Sequence, residues 1–239
     1  MFTRNDIEDM VKEGLVKDIF KMEQSYWLLK TIGLKTEEFS SGKLKIYNEV
    51  FGVIQYALQT ETILAAARIY DVPSKKYPTR CLRGILRFLS DNSNELPNIR
   101  EPYQLSLHLK YMNTPAELND VTSTDSEKFA PNFSTYIESI LSEPERLDAI
   151  EKLKLFRDKV IAHNEKVDSG IFGPTWASLM DLIDISKNVV GVLGWAFFNT
   201  AYVIEGEYIL TKDAYRVGNG LNKLIKNLIN NKLQLTSKS

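Results

Sequence analysis

Cysteine is nearly absent from this chain: Cys81 is the only one in 239 residues. An internal disulfide is therefore excluded, and the composition fits a reducing compartment. Histidine is scarce too, with only His108 and His163. No Cys/His set has metal-ligand spacing, so no metal site is expected. There is no glycine-rich phosphate loop and no Gly-x-Ser-x-Gly elbow. No cofactor is expected either. Neither charge sign dominates: 30 Lys and Arg stand against 31 Asp and Glu, a net charge of −1. The chain as a whole thus exerts no global pull on nucleic acid. The N-terminus carries Asp6, Glu8 and Asp9 where a signal peptide would have an apolar run. The most apolar stretch, Val189 to Ile204, is short for a membrane span and contains Asn199 and Thr200. The expected location is the cytoplasm, with no membrane contact. No internal repeat is evident, and nothing alternates apolar and polar for long enough to build a sheet.

What remains is helical periodicity. Ile7, Met10, Val11, Leu15, Ile19, Met22, Tyr26, Leu29 and Ile32 follow a 3.6-residue repeat and predict a helix over 5–32, stopped by Gly33. A second helix is expected over 43–70, apolar nearly all round and hence central. Residues 79–90 predict a third. Residues 91–132 are punctuated by Pro97, Pro102, Pro115, Pro131 and several Asn and Asp, and read as an irregular insertion holding at most a short helix over 103–112. Helices over 133–141 and 142–164 follow, the second opened by a capping box of Ser142 and Glu145. Gly173-Pro174-Thr175 opens a strongly apolar helix to about Val203. An amphipathic segment over 211–232 closes the chain. The expected fold is a single all-α, multi-helix bundle over 1–239, with its core in 43–90 and 133–204.

The chemistry concentrates in Leu155-Phe156-Arg157-Asp158-Lys159-Val160-Ile161-Ala162-His163-Asn164. On an α-helix, Arg157 and His163 are separated by a rise of ~9 Å and a rotation of ~120°. They flank one strip of surface, with Asp158 beside Arg157. Such a pair suits cleavage of RNA by its own 2′-hydroxyl. Histidine is a base near neutral pH, and the arginine fork is a fixed cation for phosphate. An acid for the leaving oxygen would come from a second copy of the site, which predicts a homodimer with this helix at or beside the two-fold axis. The residues alone also fit a plainer role, with Arg157 paired to Asp158 and His163 a favourable cation near a helix C-terminus.

The string Arg157 to His163, with a polar residue directly after the arginine, resembles the signature of the HEPN superfamily (higher eukaryotes and prokaryotes nucleotide-binding), in its abortive-infection branch. Ile63 to Asp71 and Leu82 to Leu89 are similar to upstream helices of that branch, so the resemblance spans roughly residues 45 to 205. It implies an all-α, metal-independent endoribonuclease of phage defence or toxin–antitoxin biology. Arg157, His163 and Asp158 would be its catalytic residues, and an antitoxin would be a partner of the toxin form. The alternative it implies is a non-catalytic HEPN module for RNA binding or dimerisation. Glu165 departs from the pattern, standing where HEPN toxins silenced by a nucleotidyltransferase usually carry Tyr.

Lys75, Lys76, Arg80, Arg83 and Arg87, with Tyr77, form the local candidate for an RNA-tracking surface; a solvated helix face is the other reading. His108, between Leu107 and Leu109, reads as structural. The acidic run from Glu117 to Glu151 would repel an RNA backbone.

Overall fold

The computed structural model describes residues 4–40, 42, 44–74, 79–119, 125–162 and 173–236. The helices are α1 (Arg4–Asp9), α2 (Val16–Gly33), α3 (Thr36–Ser40), α4 (Asn48–Ile69), α5 (Leu82–Asp91), α6 (Pro102–Tyr111), α7 (Ala116–Asn119), α8 (Ser126–Leu141), α9 (Pro144–Phe156), α10 (Trp176–Leu193) and α11 (Leu210–Thr236). Wider π-helical turns occupy Met10–Leu15, Arg157–Ala162 and Gly194–Phe198. Among the described residues the fold is all-α apart from one hairpin, β1 (Val203–Ile204) with β2 (Glu207–Tyr208), paired antiparallel. Its turn residues Glu205 and Gly206 both have positive φ, 51° and 79°, the geometry that matches strand twist in a two-residue hairpin loop. Among the described residues no helix is long and apolar enough to cross a membrane.

The chain forms two compact units. The first comprises Met1–Ile19 and Ala66–Ile209. Within it, α8 turns Phe129, Phe133 and Ile137 inward at four-residue spacing, against Leu82, Ile85, Leu86 and Leu89 of α5. Ser134 Oγ donates to Leu86 O at 2.8 Å between these two helices. Leu179, Leu182, Ile183, Val189 and Val190 of α10 are buried, as are Ala149, Ile150 and Leu153 of α9. Each large apolar side chain so buried stabilises by roughly 1.5–3 kcal/mol. Arg146 of α9 binds Asp181 of α10 through Nε, at 2.8 Å. Gly191 gives α6 and β1 access to α10: a Cβ there would lie 2.6 Å from His108 Nε2 and 2.6 Å from Val203 Cγ2.

The second unit comprises Phe20–Ala65 and Leu210–Ser239. Its core is Ile32, Phe39, Leu44, Phe51 and Ile225, flanked by Tyr47, Leu58, Leu221, Leu228 and Ile229. Gly218 does not interrupt α11. A Cβ there would meet Thr31 Oγ1 at 3.0 Å and Trp27 O at 3.1 Å, so glycine serves a close approach to α2.

Several boundaries differ from the sequence expectation. Pro131 sits inside α8, which begins at Ser126; Asp125 caps it by accepting from the Lys128 N–H at 3.2 Å. Burial of Phe129 and Phe133 outweighs the missing proline N–H. Residues 91–132 therefore hold a 3₁₀ turn at Ser93–Glu95, α6, α7 and the start of α8. Ser142 does not cap α9. Its N–H and its Oγ both donate to Glu138 O, closing α8. Glu143 occupies the N-cap in extended conformation, because a residue preceding proline is pushed out of the α region. The apolar helix α10 ends at Leu193, and Asn199 stops the following π turn at φ 51°. Finally, α4 is not central along its length. Val50, Val53 and Tyr56 are 58%, 70% and 69% exposed.

Candidate active site around Arg157

The site is assembled from three segments of the first unit. Leu153 anchors α9 in the core, and α9 ends at Phe156. Arg157–Ala162 then adopts a π-helical turn. Such turns are rare and concentrate at functional sites. The α-helical rise and rotation expected between Arg157 and His163 do not apply to this turn. His163 itself, with Glu165, lies outside the described residues. The chain re-enters at Gly173, where a Cβ would touch the Phe156 ring at 3.4 Å. Thr175 then caps α10 by accepting from the Ser178 N–H at 3.1 Å.

Arg157 is held by two carboxylates. Its Nε donates to Asp158 Oδ1 at 2.7 Å, and its Nη1 to Asp71 Oδ2 at 3.0 Å. These bonds use two of the five N–H donors of the guanidinium. Asp158 and then Asp71 raise the Arg157 pKa against partial burial, so the cation is permanent. Asp71 follows the end of α4, and its other oxygen, Oδ1, accepts from the Val72 N–H at 2.9 Å. Its neighbour Tyr70 is fully buried. The Tyr70 hydroxyl donates to Leu182 O and lies 2.9 Å from Ser186 Oγ, which fastens this corner to α10. Burial holds the Tyr70 phenol protonated.

More positive charge surrounds this pair. Partial burial, then the charge of Arg83, lowers the Lys154 pKa; Asp71 opposes and Arg157 adds to the depression. Arg83, Lys154 and Arg157 thus share one electrostatic neighbourhood with Asp71 and Asp158, three cations to two carboxylates. Cys81 belongs to the same corner. It is buried, and burial pushes its thiol pKa up, which leaves it a poor nucleophile.

Of the five basic residues singled out for RNA, three lie among the described residues. Arg83 is half-buried on α5 near Lys154. Arg80 precedes α5 and makes a two-pronged bridge to Asp9, at 2.7 and 3.1 Å. Arg87 is exposed and binds Asp91 at 3.2 Å. Lys75 and Lys76 lie outside the described residues. Asp71 and Lys154 were not singled out from the sequence. Asp71 closes the Ile63 to Asp71 stretch yet reads there as the start of a connector, and Lys154 reads as an ordinary helix-face lysine.

His108 is buried in α6, with Nε2 3.2 Å from Asn188 O, and burial lowers its pKa against that bond. It takes no part in the Arg157 site. Among the described residues no group of three or more His, Cys, Asp or Glu is placed to hold a metal ion.

An all-α chain with a carboxylate-braced arginine, six residues ahead of a histidine in sequence, has the architecture and motif of the HEPN superfamily. A family model described as AbiU2 matches residues 4–215, nearly the whole chain, and the protein belongs to this HEPN family, an abortive-infection branch of the superfamily. No curated protein matches, and no solved structure matches.

Proposed function

We propose that this protein is a metal-independent endoribonuclease of phage defence, cutting RNA through attack of its own 2′-hydroxyl. The observation that carries this reading is the bracing of Arg157 by Asp71 and Asp158 at the head of the motif turn. A guanidinium held at Nε and Nη1 is oriented before substrate arrives, which is the condition for electrostatic stabilisation of a phosphorane-like transition state. Lys154 and Arg83 supply further positive charge for the RNA backbone. His163 takes the 2′-hydroxyl proton. The alkoxide attacks the adjacent phosphorus, the P–O5′ bond breaks, and the leaving oxygen is protonated by the acid form of histidine. The products are a 2′,3′-cyclic phosphate and a 5′-hydroxyl. In a homodimer, a second copy of the site provides that acid. An antitoxin partner belongs to the toxin form of the same reading.

One observation favours a second reading. Arg157 already spends donors on two carboxylates, as a purely structural bridge would. The protein would then be a non-catalytic HEPN module that binds RNA or dimerises. Turnover separates the two: a nuclease cleaves RNA in excess of protein with chelator present, whereas a binder only retards it on a gel.

A further inference from the structure

The first unit holds a cavity of about 420 Å³ that shares no residue with the Arg157 site. Its size is that of a small-molecule site. Three elements build it: α6, the π turn Gly194–Phe198 and the β1–β2 hairpin. Leu107, Tyr111, Trp195 and Val203 give it apolar and aromatic walls. The Trp195 indole N–H donates to Val203 O at 3.1 Å, so this ring is fixed and its polar end is used. The Tyr111 ring rests on the hairpin turn, where a Cβ at Gly206 would lie 3.4 Å from Tyr111 Cδ1.

His108 lines the same cavity and is 3% exposed. Its Nε2 lies 3.2 Å from Asn188 O. A carbonyl oxygen only accepts, so Nε2 carries the proton and Nδ1 is a bare acceptor. Nδ1 is buried and has no hydrogen-bond partner among the described residues. Nε2 faces Asn188 and Gly191, neither of which lines the cavity, so the Nδ1 side of the ring is left to it. A buried acceptor without a donor is costly to keep. At the exposed rim stands Glu205, the one charged residue among the described residues of the lining. Its φ of 51° belongs to a turn position that favours Asn, Asp or Gly. A glutamate held there against its backbone preference directs attention to its carboxylate.

We infer that this cavity binds a small organic cation: a flat ring whose N–H donates to His108 Nδ1, joined to a protonated amine that pairs with Glu205. The buried end takes the neutral donor, because an ammonium there would lose its water against an uncharged ring. Burial lowers the His108 pKa, which keeps that ring neutral and an acceptor. The flat ring packs on the Trp195 indole. The amine stays at the exposed carboxylate, where the Tyr111 ring adds cation–π attraction. Anionic ligands are disfavoured by the same charge. Among the described residues no Lys or Arg lines the cavity, so a phosphate or carboxylate would meet Glu205 uncompensated.

This inference does not rest on RNA cleavage, and its test does not read activity. The full-length protein is titrated by calorimetry with tryptamine, whose indole N–H and ammonium match the two ends of the site. Tryptamine should bind with a Kd of about 100 µM or tighter. Two probes then test the ends on the wild-type protein. The benzothiophene analogue keeps the shape and the ammonium but has sulfur in place of N–H. It should bind about tenfold or more weakly, because Nδ1 stays unpaired. Indole-3-propionate keeps the ring but carries a carboxylate, and should bind more weakly still. Glu205→Gln should lose about tenfold or more in tryptamine affinity. Glu207→Gln, on the same hairpin but outside the cavity wall, should bind like wild type. His108→Gln, which keeps a donor for Asn188 O and removes the acceptor, should no longer distinguish tryptamine from its benzothiophene analogue. No binding of tryptamine at millimolar concentration, the result of a cavity that holds only water, overturns the inference. So does equal affinity of wild type for tryptamine and either analogue. Equal losses in Glu205→Gln and Glu207→Gln would place the amine outside this cavity and overturn it too.

Discussion

Arg157 Nη1 donates to Asp71 Oδ2 at 3.0 Å, joining the motif turn to a corner 86 residues earlier in the chain. With Asp158 on Nε, the bond fixes the plane of the guanidinium. Asp71 is thereby a positioning residue in the proposed reaction, not a group that touches RNA.

Asp71→Asn should therefore reduce kcat about ten- to hundredfold while leaving KM nearly unchanged, as expected when orientation is lost and charge attraction is not. Thermal stability should fall by about 0.5–1 kcal/mol, the range for a partly exposed ion pair. Steady-state cleavage and urea unfolding of the same preparation measure the two effects. Loss expressed wholly in KM would assign Asp71 a different role.

Arg157→Lys should be nearly as impaired as Arg157→Ala. A lysine ammonium carries the charge but lacks the planar fork that holds two carboxylates and still faces a phosphate. The arginine-to-alanine loss should be about two to four orders of magnitude in rate. A lysine variant within threefold of wild type would mean that charge alone suffices.

Among the basic side chains, Arg83 and Lys154 should matter most for RNA affinity. Replacing either with Gln should weaken binding at every sequence tested and reduce the salt slope by about one. Arg80→Gln should lose less affinity, because Arg80 is bridged to Asp9. The Lys154 pKa is lowered, so its charge is lost at lower pH than for an ordinary lysine. RNA affinity should accordingly decline on the alkaline side in wild type, and less so in Lys154→Arg. Fluorescence anisotropy across pH and salt checks all three statements.

His108 predicts an acid-sensitive fold. Burial lowers its pKa from the ordinary 6.5, so the unfolded chain binds the proton more readily than the folded one. Its contribution to stability is complete above 6.5 and is lost as pH falls through the folded value. Chemical unfolding between pH 7.5 and 5 should show this loss in wild type and a shallower one in His108→Asn. Equal slopes would place the acid sensitivity elsewhere.

The helical class was legible because apolar residues recur at helical spacing in nearly every segment, as in Phe129, Phe133 and Ile137. Its boundaries were less so. Pro131 looks like a breaker in one dimension, yet it is carried inside α8 because the residues around it are buried. Ser142 and Glu145 have the spacing of a capping box, but Pro144 between them moves the break to Glu143. The candidate site divides in the same way. Arg157 and Asp158 are neighbours in the chain and could be read together. Asp71 and Lys154 could not, since only the fold brings Asp71 to the guanidinium and only the proximity of Arg83 and Arg157 distinguishes Lys154 from other surface lysines. The apolar excess of α4 signals centrality in the sequence, yet Val50, Val53 and Tyr56 are exposed. Which of its faces the chain fills depends on α11, far away in sequence.

In the proposed reaction Arg157 and His163 cut RNA without a metal. The measurement that tests it most directly is an RNA digest in excess chelator, run with wild type, Arg157→Ala and His163→Ala, with fragment ends analysed by mass spectrometry. Wild type should cleave RNA to 5′ fragments ending in 2′,3′-cyclic phosphate and leave DNA uncut, with rates about two to four orders of magnitude lower in both variants. Equal cleavage by wild type and His163→Ala, or 5′ fragments ending in a free 3′-hydroxyl, would contradict it.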